Sequence, residues 1–253
     1  MAKEKIIEQL QKEFGQGKTF SREDLFDFFL KTEPDLKNST FRWRIYQLKD
    51  WRIITPISKN LFSFSYKPDF RPAIGVYEKR ITSKIERQFP GIKYCIWSTK
   101  AVIEFMLHIP GKYLTIIQVE KDALEPVFEF LNVQNIGRVF IQPEEKELDR
   151  YIFDVDRPIV LQTLVSRAPV QRVDKVSTIT IEKLIVDLFC DKILFIAFQG
   201  SELVHIINNA FHRYSINFTK LLHYAGRRRR GKDIRQFLQE KTDIPKVILN
   251  DQT

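Results

Sequence analysis

The strongest constraint on this chain is how the spacing of its apolar residues changes along its length. In the first 50 residues they recur three times at helical intervals, then form two short extended runs; beyond a proline-bounded stretch, strand-like runs alternate with helical ones. Ile6, Ile7, Leu10 and Phe14 mark a first helix that stops at Gly15 and Gly17. Thr19 and Phe20 form a short extended piece. Ser21, with Asp24 three residues on, predicts a capped second helix that buries Leu25, Phe28 and Phe29 and breaks at Pro34. Asn38 or Ser39 is expected to cap a third helix whose inward stripe is Phe41, Ile45 and Leu48. Two strands follow, Ile53–Ile57 and Leu61–Tyr66, joined at Ser58, Lys59 and Asn60.

Three helices and a hairpin in that order predict a winged helix-turn-helix over residues 1–70. Opposite the inward stripe of the third helix lie Ser39, Thr40, Trp43, Tyr46 and Gln47, flanked by Arg42 and Arg44. That surface suits the major groove of double-stranded DNA. Arg42 and Arg44 would offer forks to guanine or phosphate, Gln47 would pair with adenine, and Lys59 at the wing tip would hold the backbone. Charge agrees with this reading. Of a net +9, residues 36–67 carry seven Lys/Arg against one Asp/Glu and residues 220–241 carry eight against two, while 71–219 is almost balanced. The alternative is a small helical unit used for protein contacts or ligand sensing, in which Trp43 and Tyr46 pack rather than read DNA.

Pro68, Pro72 and Pro90 bound residues 71–90, read as a linker and one helix, Glu78–Phe89. From 91 to 253 the pattern predicts an α/β domain with a helical C-terminal part, so the chain as a whole is α+β or α/β. Its strands are Tyr94–Trp97, Leu114–Val119, Val139–Ile141 and Ile159–Leu164, with helices Lys100–Leu107 and Leu124–Leu131 between them. After the extended TITI at 178–181, apolar spacing marks helices around Leu184–Phe189 and Leu203–Phe211. Two more are split by Arg227, Arg228, Arg229 and Arg230, and the tail DIPKVILNDQT is expected to be loosely held. With Lys232, the four arginines predict an anionic partner, because four adjacent cations exceed what capping one helix end requires.

The stretches TITIEKLIVDLFCD at 178–191 and SINFTKLLHYAGRRR at 215–229, behind the N-terminal helices and hairpin, resemble the AbiEi antitoxins of type IV toxin-antitoxin systems. Thr180, Glu182, Lys183 and Asp187 match the first motif, and Leu221, Leu222, Tyr224 and Ala225 the second. The hairpin departs from that family, reading LFSFSYKP where many relatives carry Arg-Gly-x-Tyr. The resemblance implies a transcriptional autorepressor that binds inverted repeats at its own promoter and opposes a nucleotidyltransferase toxin.

No catalytic role, cofactor or metal is expected. Asp154, Glu182 and Lys183 could be cast as a restriction-type nuclease trio. The stronger expectation is that Glu182 favours a helix N-terminus and Lys183 is solvated. The four histidines lack metal-ligand spacing, and Cys95 and Cys190, each in an apolar run, read as reduced core thiols. The charged N-terminus and the lack of an apolar run near 18 residues predict a cytoplasmic protein with no membrane partner.

Overall fold

The computed structural model describes residues 3–15, 18–58, 60–108, 111–144, 147, 155, 157–246 and 249, and the chain divides into two compact units, Met1–Asp69 and Phe70–Thr253. Both are mixed α/β. In the first, helix α1 (Lys3–Phe14) buries Ile6 and Leu10 and ends at Gly15, whose φ of 69° suits glycine. Strand β1 (Thr19–Ser21) runs into α2 (Arg22–Leu30). There the Ser21 hydroxyl accepts the Asp24 N–H at 3.0 Å, and the Asp24 carboxylate accepts the Ser21 N–H at 2.7 Å. Two of the helix's open donors are thus satisfied reciprocally.

Helix α3 (Asn38–Asp50) starts differently from expectation. Lys37 is its N-cap and no side chain caps it, so neither Asn38 nor Ser39 has that role. Its stripe of Phe41, Ile45 and Leu48 is buried. Strands β2 (Ile54–Ser58) and β3 (Leu61–Phe64) pair antiparallel, and β1 adds to the other side of β3, for a strand order β1-β3-β2. Phe20, Phe62 and Phe64 of this sheet close one core with Leu10, Leu25, Phe29, Phe41 and Leu48.

The second unit opens with α4 (Val76–Gln88) and β4 (Tyr94–Ser98). Residues Thr99–Phe105, expected as an α-helix, wind as a tighter 3-10 helix. Strand β5 (Thr115–Val119), helix α5 (Leu124–Val133), β6 (Val139–Ile141) and β7 (Ile159–Thr163) complete a sheet ordered β4-β5-β7-β6. β4 is antiparallel to β5, whereas β5, β7 and β6 are parallel. Side chains alternate between two cores, as a two-sided sheet requires. Ile96, Ile117 and Leu161 face α4 and α5, while Cys95, Trp97, Ile116 and Val160 face the C-terminal helices.

A hairpin of β8 (Val170–Val173) and β9 (Val176–Ile179) extends what the sequence showed only as TITI. Its turn residues Asp174 and Lys175 both have positive φ, 48° and 68°, the geometry of a type I′ turn built without the Asn-Gly or Asp-Gly pair that signals one. The α-helices α6 (Ile181–Cys190), α7 (Ser201–Arg213), α8 (Phe218–Arg227) and α9 (Gly231–Lys241) follow. The described residues of the tail are held more firmly than expected. Ile244 and Leu249 are buried in the core, and the Arg235 guanidinium donates to the Leu249 carbonyl.

Gly226 does not stop α8 but lies inside it. The helix ends where Arg229 turns left-handed at φ 58°, with Arg230 N–H donating to Ala225 O and Arg229 N–H to Gly226 O, both at 2.9 Å. Gly231 is needed for close approach, since a Cβ there would stand 3.3 Å from Gly226 Cα. An arginine in the left-handed region is strained, so Arg229→Gly should stabilise the second unit by about 1 kcal/mol. Thermal melts of the two proteins check this, and a variant melting lower than the parent contradicts it. Among the described residues, no helix is long and apolar enough to cross a membrane.

Candidate nucleic-acid interface and a buried charge joint

Because α3 turns Phe41, Ile45 and Leu48 inward, its opposite side is forced outward. Trp43 is 58% and Tyr46 69% exposed, with Ser39, Thr40 and Arg42 exposed beside them and Gln47 half-buried. Two large rings thus stand in water on this face, and burying them would be favourable. Arg44 does not belong to that surface. Its Nη2 donates to both carboxylate oxygens of Glu33 at 2.7 Å, and its guanidinium lies 4.9 Å from the Phe29 ring centroid. The expectation of a free fork at Arg44 is corrected by position: three residues after Phe41 and four before Leu48, it flanks the inward stripe. Lys59 lies outside the described residues.

The second unit holds a concentration of buried charge. α6 is enclosed from Ile181 to Phe189, and Lys183 and Asp187 are both 0% exposed. Thr180 caps α6 by accepting the Lys183 N–H at 3.3 Å. The Lys183 ammonium pairs with Asp187 Oδ2 and reaches Tyr224 Oη at 3.3 Å, and Tyr224 donates to Asp187 Oδ1 at 2.8 Å. Arg228 spans Asp187 at 3.3 Å and Asp191 at 2.6 Å. Glu182 accepts the Asn217 N–H at 3.0 Å. Lys183 and Arg228 face Asp187 and Asp191, so the charges of this quartet balance while it ties α6 to α8.

Its electrostatics follow from that pairing. Burial, the largest single influence, would lower the Lys183 ammonium, but the Asp187 carboxylate together with Tyr224 and Cys95 outweighs it and holds the group above the usual lysine range. Burial pushes Asp191 up, with Arg228 opposing. Burial also pushes the Cys95 thiol up to about 12 and Cys190 to about 11, so at neutral pH both are protonated and poor nucleophiles.

A family model matches the chain from residue 40 to residue 244, through the face of α3 and the whole of this joint. The chain belongs to DUF6577, a family of unknown function. No curated protein matches it.

In this DUF6577 chain the expected solvated Lys183 is overturned, and the signal that could have revealed it is in the sequence. IEKLIVDLFC is apolar on every side of the helix, the mark of an enclosed helix, and Lys183 and Asp187 sit at i and i+4 within it. Of the nuclease-like trio, Asp154 lies outside the described residues, Glu182 holds the Asn217 amide and Lys183 is in the joint. The arginine run is also not one patch. Arg227 bonds the Ser166 hydroxyl, Arg228 is in the joint, and Arg230 lies 3.1 Å from Asp233 and over Phe189, which leaves Arg229 and Lys232 turned outward. The left-handed turn at Arg229 sends neighbouring guanidiniums in different directions, which relieves their repulsion.

A pH dependence follows for the second unit. Burial, with Glu86 accepting its hydrogen bond at 2.7 Å, pushes the Tyr94 phenol from 10.0 up to about 12, and Cys95 rises from 9.0 to about 12. Both pKa values are raised on folding. Their stabilising contribution is therefore complete below the unfolded values of 9.0 and 10.0 and is lost as pH climbs through about 12. Circular dichroism should show denaturant resistance falling across that alkaline window, and a flat profile would contradict the assignment.

Proposed function

We propose that this DUF6577 protein is a DNA-binding transcriptional regulator whose first unit is a winged helix-turn-helix and whose second unit has the role of an AbiEi-type antitoxin. The observation that carries the DNA reading is the element order α1-β1-α2-α3-β2-β3 with β3 between β1 and β2, which leaves α3 a bare outward face of Arg42, Trp43 and Tyr46. A helix presented this way enters the major groove with its N-terminal half at the base edges, and the hairpin flanks the adjacent backbone. Arg42 is the fork available to guanine, Gln47 the amide for adenine, and the two rings give apolar contact to thymine methyls. The positive excess over residues 36–67 supplies phosphate attraction without sequence preference.

The antitoxin part is supported by where the resemblance residues fall. Thr180, Glu182, Lys183, Asp187 and Tyr224 all meet in the α6–α8 joint, as residues that preserve a common fold would. On this reading the protein represses its own promoter at inverted repeats and opposes a nucleotidyltransferase toxin.

Fluorescence anisotropy with a labelled duplex from the region upstream of its own reading frame tests the DNA part. Binding should be tighter than to an unrelated duplex, and the logarithm of the affinity should fall linearly with the logarithm of salt concentration. Equal affinity for both duplexes at physiological salt would sink the repressor reading. Co-expression with a nucleotidyltransferase frame from the same operon tests the antitoxin part: growth should be rescued by the full chain and by Arg42→Ala alike.

A further inference from the structure

The four-stranded sheet has a place where its connections part. After β5 the chain turns to α5, on the face lined by Ile117 and Leu161; after β7 it turns through the β8–β9 hairpin to α6, on the opposite face. β5 and β7 are parallel neighbours, so their C-terminal ends lie side by side while the segments leaving them diverge. In open α/β sheets this is where a crevice opens and ligands bind. A cleft of about 1130 Å³ lies there, bounded by Lys93 and Tyr94 at the start of β4, by Glu120–Asp122 after β5, by Thr163–Ala168 after β7 and by the hairpin.

The walls show both cores at their edges. Phe89 and Ile92 are the fringe of one, and Leu164, Val165 and Ala168 the fringe of the other. Around this apolar interior stand Lys93, Lys121, Arg167 and Arg172. Arg172 is held by the Lys175 carbonyl at 2.7 Å and lies 3.5 Å from Glu86. Among the described residues, the side chains of Lys93, Lys121 and Arg167 make no hydrogen bond or ion pair with the protein. The carboxylates are more engaged: Glu86 accepts from Tyr94 at 2.7 Å and Glu120 from the Lys93 N–H at 2.8 Å, leaving Asp122 as the lining carboxylate without a partner among the described residues. The lining carries four cations against the carboxylates of Glu86, Glu120 and Asp122, a small positive excess in which Lys93, Lys121 and Arg167 are open to an anion, and the apolar walls favour a flat hydrophobic body joined to it.

We propose that this cleft is a binding site for an anionic small molecule with a flat apolar body, of the nucleotide class. The body lies between the Phe89–Ile92 and Leu164–Ala168 walls, and its acidic group meets Lys121 and Arg167 at the mouth. The site lies within the second unit and does not depend on the DNA reading.

The test uses the full chain and four probes: AMP, GTP, 8-anilinonaphthalene-1-sulfonate and inorganic phosphate, each titrated by calorimetry or fluorescence. AMP or GTP should bind saturably with one-to-one stoichiometry and be displaced by 8-anilinonaphthalene-1-sulfonate, and phosphate should bind at least about tenfold more weakly. The exposed charge reversals K121E and R167E, introduced together, should weaken nucleotide binding by about tenfold or more while the melting curve stays that of the parent. A second variant, V170D, places an anion on an exposed hairpin position of the same cleft and should act in the same direction. Three results overturn the proposal: no saturable binding of either nucleotide, whether or not the dye binds, phosphate binding as well as the nucleotides, or equal affinity in parent and variants.

Discussion

Replacing Asp187 by alanine is expected to cost the second unit about 3 to 5 kcal/mol of stability, the usual range when one partner of a buried ion pair is removed. Both members of the pair are 0% exposed, so no water can solvate what remains. Without Asp187 the Lys183 ammonium keeps only the Tyr224 hydroxyl at 3.3 Å, and Arg228 keeps Asp191. Lys183→Met should be milder, because Asp187 would retain the Tyr224 donor at 2.8 Å and Arg228 at 3.3 Å. Lys183→Met combined with Asp187→Leu should recover much of the loss, since a well-packed apolar pair is often as stable as a buried ionic one. Urea denaturation of the four proteins gives the ordering directly. An Asp187→Ala protein within about 1 kcal/mol of the parent would show that the joint is not sealed as described.

The second large effect concerns α3. Under the DNA reading, Arg42→Ala should weaken binding to the upstream duplex by about 1 to 3 kcal/mol, and adding Trp43→Ala and Tyr46→Ala should bring the total loss to about a hundredfold or more. All three side chains are exposed, so the melting temperature should hardly move. Arg44→Ala should behave in the opposite way. Its two bonds to Glu33 and its place over Phe29 hold the first unit together, so it should cost about 1 kcal/mol of stability, reduced by the half-open position of Glu33. Below its melting temperature that variant should keep the parent's affinity. If Arg44→Ala abolished binding and the α3 triple variant did not, the face would be assigned to the wrong side of the helix.

The contrast between Arg42 and Arg44 shows how far a sequence can be read here. The Ser21–Asp24 cap, the stripe of Phe41, Ile45 and Leu48, and the apolar runs of β4, β5 and β7 were legible because each depends on residues a few places apart. Helical period, strand run and capping geometry are local quantities. The hairpin was obscured because Asp174 and Lys175 adopt a turn that usually announces itself with glycine. The 3-10 stretch at Thr99–Phe105 has helical spacing but lies in a short connection between two paired strands.

Charges were the least legible, for a different reason. In sequence, Arg44 and Arg228 resemble any solvated cation, and even Lys183, whose enclosed helix shows in its apolar spacing, takes its Tyr224 partner from a distant segment. Glu33 meets Arg44 across 11 residues, and Tyr224 meets Lys183 across 41. The cleft at the ends of β5 and β7 is likewise a product of sheet order, which places side by side two strands separated in the chain by α5 and β6. Local spacing determined which segments became helices and strands, because hydrogen-bonded turns and pleats are closed between near neighbours. Only the tertiary structure decided which cations face water and which face a carboxylate, because desolvation and Coulomb attraction depend on what the rest of the chain brings within a few ångströms.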